Sequence, residues 1–134
     1  MAVATQHTDT GLVALAPTEC VRLLRRESVG RLATSGRDGA LAVLPVDFTL
    51  DGEAVVFRAE PNRADSWHGQ CARLEVDRFN RRERTGWTVF VTGRLEQIPA
   101  DVDLDKAIAA WVPGSPHALL RLTPTLVSGW RIPD

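Results

Sequence analysis

The stretch from Val29 to Phe57 (VGRLATSGRDGALAVLPVDFTLDGEAVVF) alternates apolar runs of strand length with glycine-bearing turns, a pattern that suits an antiparallel meander and no long helix. Ser35-Gly36 and Asp38-Gly39 punctuate the first turn, and Asp51-Gly52 separates two Val/Leu/Phe-rich runs as a hairpin would require. The central segment, Leu41 to Val46, is too apolar for a strand with one wet face. Both its faces are therefore expected to be covered, in a closed barrel or at a subunit interface.

At 134 residues the chain is long enough for one domain that buries roughly two-thirds of its unfolded surface. We expect a tail over residues 1–10, small and polar without periodicity and therefore disordered, and one domain over 11–134. Pro17 and Thr18 open a helix with Glu19 in its first turn and Cys20, Leu23 and Leu24 facing inward; Ser28 and Gly30 are expected to end it, and the meander to run from Arg31 to Phe57. Arg63 to Gln70 suits a short helix across a barrel end, Ala72 to Phe79 alternates as a strand, and Thr85 to Ile98 is a long strand with Gly93 as a bulge or bend. Asp101 to Trp111 reads as a helix on its acidic first turn and its Leu104, Ile108, Trp111 spacing, stopped by Pro113-Gly114. Ala118 to Ile132 reads as one or two strands interrupted at Pro124. The order is that of a small, mainly antiparallel β barrel with peripheral helices, an α+β protein by class; propensity alone leaves a sandwich open.

Charge and composition narrow the function classes. Sixteen Lys and Arg against seventeen Asp and Glu leave a net charge of -1, so no global field recruits nucleic acid or an anionic membrane, and no strand shows aromatic-basic alternation. No apolar run approaches the about 20 residues that span a bilayer, and the N-terminus lacks the regions of a signal peptide; a cytoplasmic protein is expected. Cys20 and Cys71 have no metal-type spacing and read as reduced thiols, Cys71 packed beside a surface His68, with no metal centre.

Little else points to catalysis. His7, His68 and His117 lie in a tail, a polar helix and a Pro-rich turn, all expected to be exposed. Asp47, Glu75 and Asp77 are the acids inside strand patterns, and outward-facing strand acids account for them. Arg78, Arg81, Arg82 and Arg84 crowd one hairpin; a solvated turn is the plainer account, a grip on a polyanionic ligand tail the sharper one. Arg58 closes an apolar strand and Arg63 follows the Pro61-Asn62 turn, so the two could converge on a phosphate monoester, although spacing fits an exposed strand-end arginine as well. Trp67, Trp87, Trp111 and Trp130 suit core or interface packing, or the wall of a planar heterocycle.

Taken together, GRLATSGRDGALAVLPVDFTLDGEAVVFRAEPNR, LEVDRF and TGWTVFVTGRLEQI resemble the pyridoxamine 5′-phosphate oxidase-like flavin-binding proteins over roughly Glu19 to Ile132. The resemblance implies an FMN-binding split β-barrel and a homodimer holding FMN, or a deazaflavin, between two barrels. It places Val43, Leu44, Pro45 and Val46 beside the flavin ring, Arg58, Ala59 and Arg63 at the phosphate, Trp87 and Thr88 at the ring's polar edge, and Trp130 near the flavin. Relatives carry Thr where Ala59 stands and a Gly-containing loop ending in Lys where this chain has the shorter Pro61-Asn62-Arg63. The function implied is a flavin-dependent oxidoreductase acting on a small organic substrate. The altered loop favours a competitor, a dimeric split-barrel protein that has lost flavin and binds another ligand such as haem, or has only a structural role.

Overall fold

A computed structural model describes residues 11–112 and 117–133. The expected disordered tail, with His7, and the Pro113-Gly114 helix stop lie outside these residues. In chain order the elements are β1 (Val13–Ala14), α1 (Pro17–Leu24), β2 (Val29–Ser35), β3 (Leu41–Asp51), β4 (Ala54–Ala59), α2 (Pro61–Trp67), β5 (Cys71–Asn80), β6 (Thr85–Ile98), α3 (Val102–Ala107) and β7 (Ala118–Arg131). No described helix is long and apolar enough to cross a membrane.

Every strand pairing is antiparallel. The sheet order β1-β7-β4-β3-β2-β5-β6, with β6 pairing back onto β7, closes six strands into a barrel to which β1 adds at the C-terminal end of β7. Inward-facing side chains fill it: Leu32, Phe48, Val55, Phe57, Leu74, Val89, Val91, Leu95, Leu120 and Leu122 are essentially inaccessible to solvent. Burial of each such side chain contributes about 1.5–3 kcal/mol, so a closed barrel of this length needs no covalent cross-link.

The turns form for the reasons their residues suggest. Gly52 takes a φ of +63° between Asp51 and Ala54, which are paired, and Gly39 takes +79° in the β2–β3 turn. Gly93 and Pro124 are partners in the β6–β7 ladder, but Thr92 pairs with Leu126, so Thr125 is the extra residue of a bulge and β7 runs through Pro124 as one strand.

Three local expectations need correction. α1 ends at Leu24, and Gly30 is a strand residue of β2: a Cβ there would lie 3.0 Å from the Glu75 carbonyl oxygen and 2.9 Å from Val76 Cγ2, so glycine permits close strand contact. α3 stops at Ala107 rather than running to Trp111. Ile108 and Leu104 do pack, on Val56, Leu119 and Ile98 at the barrel's outer surface, while Trp111 is 71% exposed. Cys71 is exposed, not packed.

β3 and β4 pair only where Phe48–Asp51 meets Ala54–Phe57. Beyond that point β3 stays with β2, from Val29 against Asp47 to Ser35 against Leu41, while β4 stays with β7 through Arg58 against Leu119 and Ala59 against Ala118. The two strands diverge, and the barrel is split there.

Candidate functional site

The split opens a cleft of about 570 Å³, within the range of small-molecule sites. One wall is Leu44, Pro45, Val46 and Asp47 of β3; the other is Arg58 and Ala59 of β4, continuing into Glu60 and α2 through Arg63 and Trp67. Val112 and His117 complete the lining. Proline within β3 costs nothing on an edge that has parted from its neighbour, because no ladder partner on that side requires its N–H.

Asp47 overturns the reading of an outward strand acid. It is 3% exposed, and its carboxylate accepts the backbone N–H groups of Trp111 at 3.1 Å and Val112 at 2.9 Å. The segment after α3 is thereby fastened across the split, where a buried carboxylate satisfies two donors that have no strand to pair with. A lone acid inside VLPVDFTL was the signal available in the sequence, since a charge in an apolar run is expensive without partners. Glu75 and Asp77 do stand on the outer surface, where both bind Arg31.

Arg58 is not a free cation. Its Nε donates to Asp105 Oδ1 at 3.0 Å and its Nη2 to the Asp105 carbonyl oxygen at 2.8 Å; its side chain is only 19% exposed. His117 Nε2 lies 2.8 Å from the same Oδ1. Hydrogen bonding by the Arg58 guanidinium, then by His117, holds the Asp105 carboxyl below its ordinary range. Nothing in the sequence linked these residues, for Asp105 is 47 positions from Arg58. Arg63 lines the cleft, and among the described residues no hydrogen bond or ion pair of its guanidinium is present.

Of the residues the sequence singled out, Leu44, Pro45, Val46, Arg58, Ala59 and Arg63 line this one cleft. Val43 is on the same strand but outside the lining, and 57% exposed. Trp87, Thr88 and Trp130 lie elsewhere, on β6 and β7, with Thr88 and Trp130 paired across the ladder. Trp87 lines a different depression with Phe79, Arg78 and Arg131. Thr88 Oγ1 is buried with no hydrogen-bond partner, the sole side-chain polar atom of that kind among the described residues. On the arginine hairpin Arg78 is taken by Glu27 at 3.1 Å, which leaves Arg81, Arg82 and Arg84 in the turn to solvent. His68 is exposed, yet its Nδ1 accepts the Gln97 N–H at 2.9 Å and ties the end of α2 to β6.

Residues 16–131 match the family model described as pyridoxamine 5′-phosphate oxidase. The chain is 29% identical, over 90% of its length and 86% of the relative's, to an uncharacterized protein of Mycobacterium tuberculosis. Among solved structures it is similar to an FAD-binding protein from Mycobacterium smegmatis, with a TM-score of 0.69, 22% identity and coverage of 90% of this chain and 97% of that one. It is also similar to an FAD- and haem-binding protein from the same organism, with a TM-score of 0.66, 16% identity and coverage of 87% and 71%.

Proposed function

The chain belongs to the pyridoxamine 5′-phosphate oxidase family, and from that premise we propose that it is an oxidoreductase that binds a flavin nucleotide in the cleft at the barrel split. The observation that carries this reading is the composition of the cleft: an apolar wall of Leu44, Pro45 and Val46 faces the guanidinium-bearing residues Arg58 and Arg63 across a volume of about 570 Å³. That pairing suits a ligand with a flat heterocycle at one end and a phosphoryl group at the other. Arginine supplies a planar donor fork for phosphoryl oxygens, and the apolar wall excludes water from the ring.

When bound, the flavin supplies the hydride or electron transfer; the protein supplies orientation and a dry, charged setting. Trp67, itself buried, adds an aromatic surface to the cleft lining, and the Asp47 carboxylate fastens the Val112 segment that completes it. We propose further that the working form is a homodimer. Leu41 (73% exposed) and Val43 (57%) present an apolar patch on the strand that walls the cleft, and a second copy seated there would cover it.

A haem-binding, non-catalytic protein is the second reading. It is favoured by Ala59, which lacks a hydroxyl donor, and by the commitment of Arg58 to Asp105. The visible absorption spectrum of the purified protein, followed by titration with FMN, FAD, a deazaflavin and haem under tryptophan-quenching detection, separates the readings. Saturable flavin or deazaflavin binding at micromolar affinity or tighter supports the oxidoreductase and selects its cofactor. A response to haem alone transfers support to the second reading.

A further inference from the structure

Two donors from neighbouring chain segments converge on a single oxygen in this protein. Arg58 projects from β4 and His117 immediately precedes β7; the backbone partners Ala59 and Ala118 hold these two chain segments side by side. The Arg58 Nε–H and the His117 Nε2 meet at Asp105 Oδ1, 3.0 Å and 2.8 Å away. An ionised carboxylate only accepts, and the Asp105 carboxyl is held ionised by these neighbours, so His117 Nε2 carries its proton and donates. Arg58 and His117 both line the cleft, whereas Asp105 reaches them from α3, outside the lining, with its side chain 40% exposed.

We propose that Arg58 and His117 form a phosphoryl-oxyanion site and that the Asp105 carboxylate fills it as an internal competitor, to be displaced by the ligand's phosphate. The inference deepens the flavin reading and rests on it for the class of ligand. A carboxylate oxygen and a phosphoryl oxygen ask for the same donors at the same distances, and two anions sharing one guanidinium repel, so the ligand exchanges with Asp105 rather than binding beside it. Rotation of the Asp105 side chain frees the Arg58 Nε–H and the His117 Nε2, while the Arg58 Nη2 bond to the Asp105 carbonyl oxygen stays and holds the guanidinium in place. The packing of Leu104 and Ile108 on Val56 and Leu119 can stay as it is while Asp105 swings toward solvent. Of the other charged residues lining the cleft, Arg63 adds to anion attraction, Glu60 opposes it, and Asp47 is already occupied by the Trp111 and Val112 N–H groups.

The test compares wild type with Asp105→Asn, Asp105→Ser and Asp105→Asn/His117→Ala, by tryptophan quenching with FMN and by chemical-shift titration with inorganic pyrophosphate. Both single variants should bind FMN roughly three- to tenfold more tightly than wild type, because each removes the competing charge. Removing His117 as well should cancel that gain. Equal or weaker FMN binding by both single variants, with wild type binding normally, overturns the competitor and leaves the flavin reading standing. If no form binds FMN but the single variants bind pyrophosphate more tightly than wild type does, the oxyanion site stands and the flavin reading falls. Failure of every form to bind either probe overturns both.

Discussion

Asp47 and Val112 are joined by a hydrogen bond of 2.9 Å from the Val112 backbone N–H to a carboxylate that is 3% exposed. With its companion from Trp111, this contact decides where the segment after α3 lies, and so gives the cleft one of its rims. Asp47→Ala removes the acceptor and leaves two N–H groups in need of partners. We expect a loss of about 1.5–3 kcal/mol in urea unfolding, with a smaller loss for Asp47→Asn, which keeps one carbonyl acceptor. Equal stability of Asp47→Ala and wild type would show that the fastening carries no weight.

Gly93 has no room for a side chain. A Cβ there would run into the Thr123 carbonyl oxygen and sit 2.8 Å from its carbon, both backbone atoms that cannot rotate away. Gly93→Ala should therefore open the β6–β7 bulge and destabilise the barrel by about 1–3 kcal/mol. Thermal unfolding measures it, and an unchanged midpoint would mean that the ladder shifts freely at this point.

Arg58→Ala should weaken FMN binding by about 1.5–3 kcal/mol, the usual worth of a hydrogen bond to a charged group. Arg58→Lys should recover part of the loss, since it keeps the charge but not the planar fork. Fluorescence titration reads both, and wild-type affinity in Arg58→Ala would remove this residue from the site.

The exposed apolar patch bears on assembly. The double substitution Leu41→Arg/Val43→Arg should convert a dimer seen by sedimentation equilibrium into monomer, because charges of one sign would then face their own copies. FMN affinity should fall with it. A wild-type chain that sediments as a monomer at micromolar concentration removes the homodimer.

The Asp105 contact is sensitive to acid in a definite direction. Its carboxyl is held below the ordinary value in the folded chain, so its contribution to stability is complete above about pH 3.9, the unfolded value, and is lost as pH falls through the lower folded value. Asp105→Asn should therefore be less stable than wild type at pH 7, and the two should converge as pH falls through the lowered folded value. The gap at pH 7 should stay under about 1 kcal/mol, for the carboxylate side chain is 40% exposed and screened. A gap that persists undiminished in acid would assign the effect to something other than the charge.

Strand and turn positions were legible because they depend on near neighbours. The Asp51-Gly52 hairpin, the bulge at Gly93, the inward face of α1 and the long β6 strand follow from period, glycine placement and apolar runs of a few residues. The same local signals, with the family resemblance, brought Leu44, Pro45, Val46, Arg58, Ala59 and Arg63 to one cleft. Tertiary structure alone decided what each charge does there. Asp47 turned from a surface acid into a buried acceptor because a segment 64 and 65 residues further on lies across it. Arg58 turned from a free cation into half of an ion pair because α3 brings Asp105 to it from 47 residues away. Propensity and periodicity describe a residue's relation to its own strand or helix, whereas the state of a buried charge is set by whichever distant group the closed barrel places within hydrogen-bonding distance of it.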